Sequence, residues 1–459
     1  MKPYIKQLAI LVLTITLFSC NKDDASIEQD VIQSTENQIT SFVFLSTNNA
    51  INQDIIASID EVNKTIIATV PFGTDITKLI PEIQLSEFAT LDRTGNQNFT
   101  NPLEYSIIAE NGSKRIYNVF VRQLSRQKQI LKAILDANPK HTLDWELYTT
   151  NLEDLWGVTL NAEGNIINLH LTSRNITTIP VEIGELSHLE ALSFFNNKLT
   201  SIPTEITQLS NLETLDLGWN KISSLPLQIG QLTNLRELNL NRNTLHALPK
   251  GLFILSNLEI LNLSNNNLTT SLPTQIKQLS NLRSLSLTNN NFSSLPENIG
   301  VLRHLETLKL NQNNLSSLPL GILLLNNLID LNLDGNNFSS IPEIVFYLKS
   351  LKSLSVRNNN FSSLPTDISR LSNLTGLYLS NNNFSSLPIS IGLLSNLSHL
   401  DLIDNNLISI PLEIGQLKNL KSLVLSFNPI SAVPQEVCDL KVSNGGLLNI
   451  YADSILGCN

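Results

Sequence analysis

The chain has 459 residues and a formal net charge of −10, so it is long enough for more than one domain and carries a surplus of carboxylates. This charge disfavours non-specific binding to nucleic acid or to an anionic bilayer, because both surfaces attract lysine and arginine. Three cysteines are too few for a disulfide framework or a cysteine-rich metal site.

Residues 1–19 have the pattern of a secretory signal peptide. Lys2 and Lys6 precede an apolar run of about a dozen residues, which is too short to span a bilayer. The run ends in LFSC at 17–20, which resembles the lipobox of bacterial lipoproteins, where cleavage precedes the cysteine and acyl chains are attached to it. The resemblance implies that Cys20 is lipidated. An ordinary signal peptide with an incidental cysteine is the alternative.

The segment 20–38 is predicted to be the lipidated cysteine followed by a flexible tether, because it is polar and lacks apolar periodicity. Its start, NKDD at 21–24, is similar to the lysine-plus-acid tag with which some Gram-negative bacteria send lipoproteins to the outer face of the cell. The resemblance implies an outer-membrane lipid anchor with the protein facing the exterior. A solvated linker without such a signal is the alternative.

Residues 39–123 are predicted to form a small all-β sandwich. Runs rich in β-branched and aromatic residues begin at Ile39, Lys64 and Tyr117, and turn clusters such as NGS at 111–113 separate them. The strings VPFGTDITKLIPEIQLS and NFTNPLEYSIIAENGSKRIYNVFV resemble the immunoglobulin-like modules near the N-terminus of many bacterial surface lipoproteins. The predicted role is a spacer, and an independent binding site in this domain is the alternative.

A short amphipathic helix is predicted over residues 125–137. Ile130 with Ile134 and Leu131 with Leu135 form its apolar stripe, and the pair Asn138-Pro139 ends it.

A repeat with a period of 23 residues fills residues 166–437. Its frame is L-x-x-L-x-L-x-x-N-x-F-x-x-L-P-x-x-I-x-x-L, and one spacing is 24 because of an extra residue within Thr269-Thr270-Ser271. The twelve copies begin at Ile166, Leu189, Leu212, Leu235, Leu258, Leu282, Leu305, Leu328, Leu351, Leu374, Leu397 and Leu420. Such a period is typical of a solenoid, because one unit cannot bury its apolar face without neighbours.

Each copy predicts a short strand, a turn and a helical return. The alternating leucines of L-x-L indicate a strand with one buried face, and the spacing of Ile and Leu after the proline suits a brief helix. The asparagine after each strand can donate and accept hydrogen bonds at once, so these amides are expected to form a ladder that satisfies the backbone of the turns. They are Asn197, Asn220, Asn243, Asn266, Asn290, Asn313, Asn336, Asn359, Asn382, Asn405 and Asn428. In the first copy Arg174 takes the place of the asparagine.

These repeats resemble the leucine-rich repeat family, in its L-P-x-x-I-x-x-L variety. The resemblance implies an α/β leucine-rich repeat solenoid with a curved parallel sheet on its concave face and short helical or 3-10 returns on its convex face. Residues 124–165, with Trp145 and Trp156, look like the N-terminal cap of such an array. Residues 438–459 are expected to be the C-terminal cap. Caps are needed because the end coils otherwise expose leucines and a strand edge.

Nothing in the sequence indicates catalysis. The histidines lack a metal-ligand spacing, and neither a nucleophile motif nor a glycine-rich phosphate loop occurs. We therefore expect a protein that is not an enzyme and that uses neither a cofactor nor a metal.

The candidate ligand-binding residues are the charged and aromatic side chains that the strands place on the concave face, since exposed aromatics and arginines form binding hot spots. Towards the N-terminal end they are His170, Phe195, Asp216, Trp219, Glu237 and Arg242. Towards the C-terminal end they are Lys309, Asp330, Asp334, Arg357, Tyr378, His399, Asp401, Ile403 and Phe427. Ordinary solvent-facing side chains are the alternative. By contrast Phe292, Phe338, Phe361 and Phe384 follow the asparagine and are predicted to lie in the core.

The function that these features favour is recognition of a protein or peptide along the concave face of a lipid-anchored array. A variant of this hypothesis is glycan binding, with Trp219, Phe195 and Tyr378 stacking on sugar rings. The alternative from a different class is a structural envelope spacer that self-associates.

Cys438 and Cys458 are expected to pair and close the last coil, because paired thiols oxidise in exported proteins. The loop length suggests a contribution of about 3 kcal/mol. Two free thiols are the alternative. In the chain from Asn21, denatured without reductant, a thiol reagent should find no reactive sulfhydryl, and two reactive sulfhydryls would refute the bridge.

Overall fold

A computed structural model of the chain describes residues 33–269, 271–443 and 448–452. The predicted signal peptide, Cys20, most of the tether and Cys458 lie outside these residues, so the lipid anchor and the bridge to Cys438 stay predictions. The chain divides into two compact units between Gln123 and Leu124.

The first unit is a small all-β domain with two sheets. Its strands are β1 Ile39–Phe44, β2 Ile55–Ile56, β3 Ser58–Asp60, β4 Thr65–Val70, β5 Pro81–Leu85, β6 Thr90–Leu91, β7 Leu103–Ile108 and β8 Lys114–Gln123. The sheet orders are β2-β1-β5 and β3-β4-β8-β7-β6, and β4 pairs with β8 in parallel. Phe42, Phe44, Phe99 and Tyr105 pack edge to face between the sheets, with ring centres 5.4 to 5.6 Å apart.

The second unit begins with a capping segment. It contains helix α1 Arg126–Ala137, a 3-10 helix Leu152–Asp154 and strand β9 Val158–Leu160. The Ser125 side chain accepts a hydrogen bond from the Lys128 backbone and so caps α1. Strand β9 pairs antiparallel with the first strand of the array and covers its edge, which is the role predicted for the N-terminal cap.

Each repeat forms one coil, and we number the coils 1 to 12 in chain order. The strands are β10 Ile166–His170, β11 Ala191–Ser193, β12 Thr214–Asp216, β13 Glu237–Asn239, β14 Ile260–Asn262, β15 Ser284–Ser286, β16 Thr307–Lys309, β17 Asp330–Asn332, β18 Ser353–Ser355, β19 Gly376–Tyr378, β20 His399–Asp401 and β21 Ser422–Val424. Consecutive strands pair in parallel with the central leucines in register. The predicted solenoid with one parallel sheet is confirmed.

The returns of coils 1 to 11 are 3-10 helices. They span Val181–Glu185, Thr204–Gln208, Leu227–Gln231, Lys250–Ile254, Thr274–Gln278, Glu297–Val301, Leu320–Leu324, Glu343–Tyr347, Thr366–Arg370, Ile389–Leu393 and Leu412–Gln416. The proline lies just before each return, at the capping position, where its fixed φ sets the entry of the chain.

The end of the array departs from the repeat. Helix α2 Gln435–Ser443 replaces the 3-10 return of coil 12, so the predicted start of the cap at Cys438 falls inside this helix. Strand β22 Asn449–Tyr451 then pairs in parallel with β21. The repeat frame did not predict this last strand, because Ile450 and Ala452 stand at leucine positions and the frame restarts at Leu447, later than the 23-residue period requires.

The asparagine ladder is confirmed, and its amides join neighbouring coils. Asn313 Nδ2 donates to the carbonyl of Leu310 in its own coil and to that of Leu287 in the preceding coil, each at 3.0 Å. Its Oδ1 accepts the backbone N–H of Phe292, also in the preceding coil, at 3.0 Å. The amides of the other ten asparagines likewise accept an N–H and donate to a carbonyl of the coil before them.

An asparagine of the N-terminal cap, Asn138, bonds the backbone of coil 1 in the way that each ladder asparagine bonds the preceding coil. Asn138, at the end of α1, accepts the backbone N–H groups of Thr177 and Thr178 at 2.7 and 2.9 Å and donates to the Thr178 carbonyl at 2.8 Å. Arg174, which occupies the asparagine position, instead stacks on Trp156, with its guanidinium carbon 3.7 Å from the ring centre. The departure in the first copy therefore binds the array to its cap.

Glycines allow the returns of coils 6 and 7 to touch through their backbones. A Cβ on Gly300 would collide with the carbonyl oxygen of Gly321, and one on Gly321 would collide with that of Glu297. Because only glycine permits this approach, these two returns form one continuous surface.

We expect Asn313→Ala to lower the free energy of unfolding by about 3 kcal/mol, because it leaves buried backbone groups of two coils without partners. Asn314→Ala is the matched control, since the adjacent Asn314 side chain is exposed. Chemical denaturation followed by circular dichroism measures both variants. Equal stability of the two would mean that the amide ladder contributes little.

Candidate binding surface on the concave sheet

One backbone position of every coil is left-handed. The residue before each ladder position has φ between +51° and +60°, and these residues are Ser173, Asn196, Trp219, Arg242, Asn265, Asn289, Gln312, Gly335, Asn358, Asn381, Asp404 and Phe427. Asn, Asp and Gly tolerate this conformation, whereas bulky side chains cost about 1 kcal/mol there. Trp219, Arg242 and Phe427, three of the predicted site residues, therefore occupy strained positions.

Phe195, Trp219 and Arg242 stack across coils 2 to 4, and we call them the Trp219 cluster. The Phe195 and Trp219 ring centres are 6.3 Å apart, and the Arg242 guanidinium carbon lies 4.1 Å from the Trp219 ring centre. The Phe195 ring packs over Gly218, where a Cβ would crowd it. Trp219 is nevertheless 44% exposed, so the cluster presents an aromatic and cationic surface to solvent.

A cavity of about 240 Å³ lies on coils 3 to 5. Its polar wall contains Asp216, Glu237, Asn239 and Asn262, and Ile260 adds an exposed apolar group. Ile260 is not among the candidates predicted from the sequence. It could have been included, because most other repeats carry a polar residue at this third position.

Asp216 connects the cavity to the strand ends. Its Oδ1 accepts hydrogen bonds from the Gly218 backbone at 3.0 Å and from Asn239 Nδ2 at 2.9 Å. Burial raises the pKa of the Asp216 carboxyl, and these two hydrogen bonds and the charge of His170 oppose the rise. Asp216 therefore lies with Glu237 at the cavity, next to the Trp219 cluster through Gly218. His170 lies two coils away at the end of β10.

Four residues of the C-terminal group bind one another. Arg357 Nη2 donates to Asp401 Oδ2 at 2.8 Å, and the guanidinium carbon lies 4.6 Å from the Tyr378 ring centre. Asp334 Oδ1 accepts the Ser355 hydroxyl and the Arg357 backbone N–H, each at 2.6 Å. Burial raises the pKa of the Asp334 carboxyl. These contacts brace coils 8 to 11, and they occupy groups that a ligand would otherwise use.

The remaining candidates of the C-terminal group differ in exposure, and the Ile403 backbone N–H donates to Asp401 Oδ1 at 3.2 Å. Lys309 and His399 are exposed, Asp330 and Ile403 are half-buried, and Phe427 is largely exposed near the end of the sheet. The four phenylalanines predicted for the core, Phe292, Phe338, Phe361 and Phe384, are buried, as expected.

Two further ladders were missed by sequence reasoning. In the turn after most returns an exposed amide donates to a carbonyl of the coil before it, through Asn211, Asn234, Asn257, Asn281, Asn327, Asn373, Asn396 and Asn419. On the flank of the sheet five charges alternate in sign across coils 3 to 7, and they are Glu213, Arg236, Glu259, Arg283 and Glu306, with N–O distances of 2.7 to 3.7 Å. The alternation of acidic and basic residues at the second position of these repeats could have predicted the ion pairs from the sequence.

In the part of the chain that the structure describes, no group of three or more His, Cys, Asp or Glu side chains is placed to hold a metal ion. No helix among these residues is long and apolar enough to cross a membrane.

Family models match both units. A model described as "Leucine-rich repeat region" matches residues 174–275 and 256–359, and one described as "Leucine rich repeat" matches residues 349–407. A model described as "SGBP, N-terminal" matches residues 39–121 of the all-β domain. The immunoglobulin-like resemblance of that domain stays a prediction. No curated protein matches the sequence significantly.

Solved structures similar to the chain include a Leptospira interrogans leucine-rich repeat protein, at 37% identity over 61% of this chain and 83% of that chain, with a TM-score of 0.48. The Arabidopsis receptor kinase HAESA, in complex with the peptide hormone IDA and the co-receptor SERK1, is 27% identical over 72% of this chain and 62% of that chain, with a TM-score of 0.60. PEPR1 in the PEPR1-AtPEP1 structure is 30% identical over 68% of this chain, with a TM-score of 0.58. The match spans only 47% of the PEPR1 chain.

The repeat models together cover residues 174–407, which is more than half of the chain, and the observed coils follow the same frame. The chain belongs to the leucine-rich repeat family.

Proposed function

We propose that the chain is a non-enzymatic recognition protein that binds a protein or peptide through the concave face of coils 2 to 5. The observation that carries the proposal is the exposed Trp219 in a left-handed backbone position, held between Phe195 and Arg242. The left-handed position recurs in every coil and mostly carries Asn, Asp, Gly, Gln or Ser, so the tryptophan is what distinguishes this one. Tryptophan and arginine are the side chains that dominate protein interfaces.

The neighbouring cavity supports a ligand with several chemical groups. Glu237 and Ile260 are exposed at its wall, so a carboxylate and an apolar surface lie beside the aromatic cluster. An extended peptide crossing the strands of coils 3 to 5 could contact all of them at once. The structure of HAESA with the peptide hormone IDA supports a peptide ligand for this type of array.

A glycan fits this surface less well. Sugar rings stack on an open aromatic face, but Arg242 lies over Trp219 and Arg357 lies over Tyr378. Trp219 and Tyr378 would have to lose these cations before they could form a sugar platform on those faces.

The surface location is part of the proposal and is supported by the leader, the LFSC sequence at 17–20 and the acidic tag at 21–24. We expect a protein anchored by lipid in the outer membrane and facing the exterior. Protease added to intact cells should then degrade the protein. If it survives on intact cells but is lost after lysis, the outward orientation is wrong.

The binding proposal is tested with the mature chain from Asn21 as immobilised bait for a displayed library of random peptides, alongside a separate panel of polysaccharides. We expect the wild type to select peptides and Trp219→Asn to bind them at least about tenfold more weakly. Relief of the backbone strain should offset the lost ring contacts, so the free energy of unfolding should stay within about 1 kcal/mol of the wild-type value.

Gln312→Asn is the matched control, because it changes the same left-handed position four coils further on without removing an aromatic ring. It should leave peptide binding unchanged. Selection of polysaccharides alone would move the proposal to the glycan class. A folded wild type that selects neither ligand class would favour the structural spacer.

A further inference from the structure

An apolar patch interrupts the convex face at coils 6 to 8. It consists of Val301, Leu320, Leu323, Leu324 and Tyr347, whose side chains are 38% to 66% exposed. We call this set the Leu324 patch. At the repeat position of Leu324 four other coils carry glutamine, namely Gln208, Gln231, Gln278 and Gln416. Coils 4 and 10 also carry an exposed apolar residue there, Ile254 and Leu393, but coils 6 to 8 differ in placing apolar residues at this position in three consecutive coils, Val301, Leu324 and Tyr347.

Within the patch, Gly300 and Gly321 bring the returns of coils 6 and 7 into backbone contact. At its other end Tyr347 packs against Arg370, whose guanidinium carbon lies 4.9 Å from the ring centre. The five side chains together expose on the order of 400 Å², which is the size of the largest apolar patch on a typical soluble monomer, and such patches are often functional.

Charges frame the patch in a regular way. Coils 6 and 8 each begin their return with a glutamate, Glu297 and Glu343, and each carries a base just after the return, Arg303 and Lys349. All four are exposed, and none of them forms an ion pair within the described residues. The Glu297 carboxylate also accepts the backbone N–H groups of Leu320 and Gly321, at 3.3 and 2.7 Å, so it is held at the edge of the patch. Since every coil crosses the convex side in the same direction, the acids lie along one edge of the patch and the bases along the other.

We propose that the Leu324 patch binds the Leu324 patch of a second copy of this chain, with the two arrays packed convex to convex and running in the same direction. A two-fold axis parallel to the arrays places the acidic edge of one copy against the basic edge of the other and leucine against leucine. The opposite orientation would place Glu297 against Glu343 of the second copy, and like charges would face each other. The pattern of charges thus selects both the occupant and the orientation.

The dimer should be weak. A stable interface buries about 800 Å² on each partner, and the apolar patch supplies roughly half of that area. The charged edges supply the rest, and their attraction falls as ionic strength rises. We expect a dissociation constant in the micromolar range at low salt and a weaker one at high salt.

Sedimentation equilibrium of the chain from Asn21, up to about 200 µM, tests the proposal. The wild type should dimerise, and Leu320→Gln/Leu324→Gln should weaken the dimer at least about tenfold. Ile254→Gln is the matched control, since Ile254 occupies the Leu324 position of coil 4 and is 61% exposed but lies outside the patch. It should dimerise like the wild type.

Charge reversal tests the orientation. Glu297→Lys/Glu343→Lys should abolish the dimer, and adding Arg303→Glu/Lys349→Glu to the same chain should restore it. A wild type that stays monomeric, or a dimer that survives the double leucine substitution, would overturn the proposal. An unchanged dissociation constant after the glutamate reversal would overturn the parallel orientation. Because this face is opposite the concave sheet, either result leaves the peptide-binding test unaffected.

Discussion

The array depends on one side chain used eleven times, the ladder asparagine. An amide is the smallest group that can accept one hydrogen bond and donate two, and here it does so across the gap between coils. The turns after the strands are buried, so their backbone groups would otherwise lack partners. Because each amide joins its own turn to the preceding one, no coil is complete until the next coil has folded against it.

The same constraint explains much of the polarity of the concave face. Asp216, Asn239, Asn262 and Asp401 accept the backbone N–H two residues ahead, where the strand bends into the turn. These polar side chains face the concave surface, but they already form hydrogen bonds to the backbone where each strand ends, so they are less available to a ligand. What remains for recognition are the side chains that do not serve the backbone, and Phe195, Trp219 and Arg242 form a contiguous group of them.

Most of the fold could be predicted from the sequence because the repeat carries the information many times over. The period, the leucine alternation and the ladder asparagines determine the sheet and its register, and the core phenylalanines follow from the same frame. The ends could not be predicted in this way. Asn138 completes coil 1 from within the cap, and β22 extends the sheet with a degenerate copy of the frame that is out of step with the 23-residue period. Each therefore escapes a prediction that relies on the period.

The candidate site could be predicted only as a set of residue types. The sequence predicted both Arg357 and Trp219 as candidate binding residues, whereas the structure shows that their surroundings differ. Arg357 is held by Asp401 and stacks on Tyr378, while Trp219 stays exposed in a strained backbone position. Whether a charged side chain forms an ion pair depends on neighbours one and two coils away, and the sequence identifies these neighbours but not their side-chain conformations.

The five alternating charges on the flank of the sheet, from Glu213 to Glu306, have a mechanical consequence. Each arginine lies between the glutamates of two neighbouring coils, so sliding one coil past the next breaks ion pairs before it exposes any leucine. Salt weakens exposed ion pairs and leaves the apolar core intact. Ionic strength therefore changes how stiffly coils 3 to 7 resist shear without changing what holds them folded.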